Sequence, residues 1–306
     1  MAPKVIVIRH AEGLHTEDER YATSPDPKLS PQGIKQCAEL RAHLKESPRN
    51  TKVGLIITSP MRRALQTCML ALDFLVQKGT KIEANDLWQE VYNNTCDTGT
   101  PLTELTTSFP HVDFSRVDLV WPDKTSPAAA KYHYSRDAVL ARAHEALRDL
   151  YHRREEVVIV VTHSGFQRAA LGSRWIAHAD YREFWFRSRH TRSDELGQPY
   201  QLSEHRASFG QESGWMGRAV TQEARRGVIL PEEQPLLDGN RAGERLGEAW
   251  RMSGAIPEGA DVPQLPAGED FDALVVVEER AEGGDGHREL SEADKEDASG
   301  RGCVCC

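Results

Sequence analysis

Three short apolar runs stand out from a polar background: "KVIVI" at Lys4–Ile8, "VGLIIT" at Val53–Thr58 and "VVIVVT" at Val157–Thr162. Unbroken, β-branched stretches of this length predict strands buried on both faces. Between them the period changes. "LSPQGIKQCAELRAHLKES" places Ile34, Cys37, Ala38, Leu40, Ala42 and Leu44 at helical spacing. Ser30 is its expected N-cap and Pro31 its first helical residue, while Gly33 weakens it. After Ser59-Pro60, "MRRALQTCMLALDFLVQKG" predicts a helix closed by Gly79. Asp137–Arg153 predicts another, with Val139/Leu140, Ala143, Ala146/Leu147 and Leu150/Tyr151 on one side. Ile82–Leu87 is expected as a further strand and Glu183–Arg187 as a short one. Residues 91–130 read as loop-rich.

Strands alternating with helices imply right-handed crossovers and a sheet covered on both faces. The expected fold is a three-layer α/β/α sandwich with a mostly parallel central sheet. The pattern fades after about Arg192. We therefore expect a catalytic domain over 1–192 and an extension over 193–256, with short helices at Arg218–Arg226 and Asn240–Met252. A tail over 257–306 follows, too acidic and too rich in Gly and Pro to order itself, with one apolar run at Phe271–Glu279.

Charge sharpens this division. The 306 residues carry a net charge of −9, but residues 257–306 hold 14 Asp/Glu against 4 Lys/Arg, so the rest is near neutral. No basic face is evident, which argues against a nucleic-acid partner. No run approaches the roughly 20 apolar residues of a membrane span, and "MAPKVIVIRH" lacks the form of a signal peptide. Cys37, Cys68 and Cys96 show no metal or redox spacing. A reducing compartment is expected, the cytoplasm and also the nucleus. The terminal "GCVCC" resembles prenyl-acceptor patterns at Cys303 or at Cys305/Cys306. The acidic residues upstream and a non-aliphatic Cys305 favour free thiols instead.

The chemistry gathers at strand ends. Ligands of open parallel sheets bind at the carboxyl ends of the strands. Here one strand ends in Arg9-His10, a second in Thr58-Ser59-Pro60 with Arg62-Arg63 just beyond, and a third in His163-Ser164-Gly165. If these strands are neighbours, they form a compact cationic rim beside a helix N-terminus. Such a rim suits a phosphoryl dianion held by guanidinium forks. A histidine there can attack phosphorus and form a covalent intermediate. The leaving oxygen then needs a proton donor, for which Glu90 is the first candidate and Asp97 the reserve. Each residue alone has a plainer reading, as a capping group, a core histidine or a solvated helix face.

Together the motifs resemble the histidine phosphatase superfamily, also called phosphoglycerate mutase-like. "VIVIRHAEG" is similar to its Arg-His-Gly signature, "LSPQGIKQC" to its Leu-Thr-x-x-Gly-x-x-Gln segment, "TSPMRRALQT" to its Ser-Pro-Leu-x-Arg-Ala-x-Gln-Thr segment, and "VVTHSGFQR" to its second-histidine motif. The four occur in order over roughly residues 4–190. The resemblance implies that His10 is the nucleophile and that Arg9, Arg63 and His163 complete the phosphate pocket. Arg63 is chosen over Arg62 because the family's arginine directly precedes Ala, here Ala64. Glu90 becomes the acid and then the base. Ser164, through its N–H, and Thr16 become further phosphate contacts.

The implied activity is metal-independent hydrolysis of a phosphomonoester, a small metabolite or a phosphoprotein, through phosphohistidine and without a cofactor. Ala11 stands where the signature usually has Gly. The Glu-Arg-His-Tyr-Gly block of true mutases is missing near Glu90, which favours a phosphatase over a phosphomutase. A non-catalytic scaffold is the remaining alternative, disfavoured because Arg9, His10, Arg63 and His163 are all present. A metal site from His10, His15 and His163 is poor, since the arginines would repel a cation. Residues 91–135 are expected to cover the pocket, and His15 has no assigned role.

Overall fold

The computed structural model describes residues 2–47, 52–171, 175–187, 200–205, 214–216 and 218. Most of the extension and the whole acidic tail, with its terminal cysteines, lie outside the described residues.

Seven strands form one sheet. In chain order they are β1 (Lys4–Arg9), β2 (Val53–Thr58), β3 (Lys81–Asn85), β4 (Val112–Arg116), β5 (Val157–Thr162), β6 (Tyr181–Phe186) and β7 (Leu202–Glu204). Their spatial order is β4-β3-β2-β5-β1-β6-β7. β4, β3, β2, β5 and β1 are mutually parallel; β6 runs antiparallel to β1, and β7 antiparallel to β6. The helices are α1 (Leu14–Glu17), α2 (Pro31–Glu46), α3 (Arg62–Ala71), α4 (Asp73–Val76), α5 (Leu102–Ser108), α6 (Arg136–Tyr151) and α7 (Ser164–Ala170).

The continuous apolar strands are buried on both faces because each face has its own helical layer. Ile6, Ile8, Ile56, Ile159 and Val161 pack with Cys37, Leu40 and Leu44 of α2 and with Ala64, Leu65 and Cys68 of α3. Val5, Val7, Leu55, Ile57, Val158 and Val160 pack on the other side with Val139, Ala143 and Leu150 of α6 and Phe166 of α7. This is the expected sandwich. Ser30 caps α2 by accepting the Gly33 N–H at 2.9 Å.

Some local expectations are corrected. Ala38 and Ala42 are exposed, so the buried stripe of α2 runs through Gly33, Gln36, Cys37, Leu40 and Leu44. Gly33 is there because α2 touches the loop after β1: a Cβ would overlap the Glu12 carbonyl oxygen. The helix after Pro60 breaks at Leu72 into α3 and α4, and Gly79 follows with φ of +93°. The region read as loop holds α5 and the edge strand β4, in which Val112 and Phe114 face inward and Asp113 and Ser115 outward. β7 adds a strand beyond residue 192 by pairing with β6.

Candidate active site

β5 lies between β1 and β2, so three chemically loaded strand ends meet at one rim. The register sets Arg9 beside Thr162 and Thr58 beside Val161. The pairing continues past the strands: His10 N–H donates to the Thr162 carbonyl at 3.0 Å, and Ser59 N–H to the Val161 carbonyl at 3.0 Å.

His10 is buried, with Nδ1 2.7 Å from the Ala11 carbonyl oxygen. A carbonyl only accepts, so Nδ1 carries the hydrogen and Nε2 keeps the lone pair. Arg63 Nε lies 3.3 Å from that Nε2. Arg63 is itself fully buried, donating from Nη1 to the Cys96 carbonyl (2.9 Å) and from Nη2 to Asp97 Oδ1 (2.8 Å). Its neighbour Arg62 points away, to Thr100 Oγ1 and Glu104. One residue is about 100° of helix turn, enough to separate them. Asp97, the reserve acid, is thus the partner of Arg63.

The His163 ring centroid stands 4.9 Å from that of His10, and Nε2 lies 2.8 Å from Ser59 Oγ. His163 Nδ1 and Ser164 Oγ are buried without a partner among the described residues. Ser164 opens α7. The Glu90 carboxylate sits at the same helix start and accepts the N–H groups of Gly165 (3.0 Å), Phe166 (2.8 Å) and Val91 (2.7 Å). Gly165 makes room for it, because a Cβ would overlap Glu90 Oε1 and meet Tyr92.

Arg9 donates from Nη1 to the Ile176 carbonyl at 3.3 Å and from Nη2 to His178 Nε2 at 2.8 Å. Thr16 is half-buried on α1, its N–H on the Gly13 carbonyl at 2.9 Å.

Several groups at the site had no role in the sequence reading. His15 is buried, its ring 6.5 Å from His10 and lying where Gly13 has no Cβ. His178 stands 5.5 Å from His10. Ser59, expected only in the turn after β2, is the partner of His163. Lys124 donates to the carbonyls of Glu90 (3.0 Å) and Tyr92 (2.9 Å), and Arg142 to that of Gln89 (2.7 Å). The expected cover, residues 91–135, therefore folds back onto the Glu90 loop. Nothing local in the sequence marks His178, Lys124 or Arg142, because their partners lie far away along the chain.

Burial and neighbouring cations hold His10, His15, His163 and His178 well below the ordinary histidine range. For His10 burial is the first cause and Arg63 the next. His10 is therefore neutral at pH 7. Burial pushes Asp97 up to about 6 against the pull of Arg63, and pushes Lys124 down to about 8. No group of three or more His, Cys, Asp or Glu side chains among the described residues is placed to hold a metal ion. No helix among them is long and apolar enough to cross a membrane.

Comparisons with known proteins bear on the family. A family model described as histidine phosphatase superfamily (branch 1) matches residues 5–193. The chain is 29% identical over 204 residues to a phosphoglycerate mutase-like protein of Arabidopsis thaliana, over 55% of this chain and 73% of that one. It is 30% identical over 165 residues to a probable phosphatase of Schizosaccharomyces pombe, covering 52% and 73%. Among solved structures it is similar to a mycobacterial glucosyl-3-phosphoglycerate phosphatase, at 17% identity over 67% of this chain and 98% of that one, with a TM-score of 0.41.

Proposed function

Because this chain belongs to the histidine phosphatase superfamily, we propose that it hydrolyses a phosphomonoester through a phosphohistidine on His10. The observation that carries this reading is the fixed tautomer of His10: Nδ1–H is spent on Ala11, and the Nε2 lone pair faces Arg63. Arg9, Arg63, His163 and the N-terminus of α7 with Ser164 surround the phosphoryl oxygens, and Thr16 adds an outer polar contact. These groups stabilise charge as it spreads over the transferring group.

In the first step His10 Nε2 forms a bond to phosphorus as the P–O bond to the leaving group breaks. Glu90 gives that oxygen its proton. In the second step water attacks phosphorus, Glu90 takes the water's proton, and the P–N bond breaks to release phosphate. No metal or cofactor enters either step. The substrate is a small phosphorylated metabolite or a phosphoprotein. Hydrolysis is favoured over mutase chemistry because the Glu90 segment, "QEVYNNTC", lacks the Glu-Arg-His-Tyr-Gly block. A mutase must also shield its phosphoenzyme from water.

The test is a quench experiment with a radiolabelled phosphomonoester. Label that stays on the protein in alkali and is lost in acid, and is missing from His10→Ala, supports the reading. Undiminished turnover by folded His10→Ala overturns it. Loss of activity in EDTA would overturn metal independence.

A further inference from the structure

Arg9 and His10 are framed by a turn that directly precedes β6. Within it the Asp180 carbonyl accepts the Arg9 N–H at 3.2 Å, and the Ala179 N–H points at the carbonyls of Arg9 (3.2 Å) and His10 (3.3 Å). Ile176 and His178 take the Arg9 guanidinium. The turn is strained: Ala179 has φ of +48°. A non-glycine residue in this region costs of order 1–3 kcal/mol and persists where its surroundings hold it.

The surroundings here come from beyond the family match. Met216 N–H donates to the buried Asp180 Oδ1 at 2.8 Å, alongside Tyr181 N–H at 2.7 Å. Trp215 N–H donates to the Tyr181 carbonyl at 3.1 Å, and the Trp215 ring stacks on Tyr181 at 6.3 Å between centroids. Gly214 lets this approach happen. Its φ is +136°, and a Cβ there would meet Asp180 Oδ1 at 2.5 Å. Arg218 then reaches α2, with Nη2 2.9 Å from Glu39 Oε2 and 3.5 Å from the Gln36 carbonyl. The Gln36 side chain in turn accepts the Glu12 N–H at 2.9 Å. Gly214, Trp215, Met216 and Arg218 thus touch both elements that flank the segment from Arg9 to Glu12.

We infer that Gly214, Trp215, Met216 and Arg218 form a strap that holds the Arg9–His10 end of β1 in its phosphate-binding geometry, with Trp215 and Arg218 as positioning residues. The inference rests on reading Arg9 and His10 as phosphate anchor and nucleophile. Asp180 gives the strap its purchase. Burial pushes its carboxyl up to about 6, so at neutral pH it is a buried anion that needs the N–H of Met216.

The test uses full-length Trp215→Ala, Arg218→Ala and Trp215→Phe, with His10→Ala as control. Binding of orthovanadate is followed by calorimetry and turnover of p-nitrophenyl phosphate by absorbance, well below the unfolding temperature. Trp215→Ala and Arg218→Ala should each weaken vanadate binding and kcat/KM by about tenfold or more, equivalent to about 1.4 kcal/mol. Trp215→Phe, which keeps a ring against Tyr181, should restore both. Wild-type vanadate affinity in folded Trp215→Ala and Arg218→Ala would overturn the strap, whatever His10→Ala does. Turnover by His10→Ala would instead overturn the nucleophile assignment and leave the vanadate result to decide the strap. Arg218→Ala keeps the test open if Trp215→Ala fails to fold, because Arg218 is half-buried and its loss leaves the Trp215–Tyr181 stack in place.

Discussion

Arg63 Nε meets His10 Nε2 across 3.3 Å, a donor aimed at the lone pair assigned to attack phosphorus. With the Ala11 N–H, which donates to Thr67 Oγ1 at 3.0 Å, this contact joins α3 to the end of β1. It holds because the rest of the guanidinium is fixed elsewhere, on Cys96 and Asp97.

Asp97→Ala should therefore harm stability and activity together. The variant leaves the Arg63 cation buried without its counter-charge, a change that costs about 3–5 kcal/mol in comparable buried pairs. Urea unfolding reads the first effect and p-nitrophenyl phosphate turnover the second. A loss under about 1 kcal/mol would show that Arg63 does not depend on Asp97.

Gly165→Ala should displace the Glu90 carboxylate from the start of α7, since the new methyl group overlaps Oε1. Loss of a positioned acid is worth about 10²–10⁴-fold in rate. The loss should be larger for an alkyl phosphate, whose leaving oxygen needs the proton, than for p-nitrophenyl phosphate. Equal losses on both substrates would remove Glu90 from the acid role.

Gly33→Ala carries a sign that helix propensity alone would reverse. Ala is better than Gly inside a helix by about 1 kcal/mol. Here the methyl group meets the Glu12 carbonyl and pushes α2 away from the nucleophile loop. The variant should unfold at lower urea than the wild type. A higher midpoint would mean that the contact gives way easily.

The pH dependence of stability follows from the four imidazoles. His10, His15, His163 and His178 have folded-state pKa values well below the usual 6.5. Below about pH 6.5 the unfolded chain takes up protons that the folded protein refuses, so stability falls as pH falls. Each imidazole contributes at most about 1.4 kcal/mol per pH unit. Asp97 and Asp180, both raised to about 6, act in the opposite direction at lower pH. The urea midpoint should drop between pH 7.5 and 6, and a constant midpoint would contradict the burial of uncharged histidines.

The parts of the fold legible in the sequence are those whose signal is local. β1, β2 and β5 are dense apolar runs, and α2 announces its start with Ser30 and Pro31. β4 was hidden because an edge strand of five residues needs only Val112 and Phe114 to face inward. Among the site residues, His10, Arg63 and His163 come together as their motifs implied, and Glu90 stands at the start of α7. Thr16 lies on α1, half-buried, next to the buried His15. His178, Lys124 and Arg142 were illegible because each acts through backbone carbonyls or a side chain contributed by a distant segment.

By itself the sequence determined which side chains end which strands, since β-branched runs and helix caps act over a few residues. It also marked Arg63, through its motif, as the arginine to follow. Strand order was a matter for the tertiary structure. β5, the last of the three key strands in the chain, enters between β1 and β2, and long-range packing of both sheet faces sets that order. The same packing assigned Asp97 to Arg63, gave Glu90 three N–H donors, and turned Gly33 from a weak helix position into a required contact. It also answered for His15, which is buried beside His10 because Gly13 leaves its ring the space.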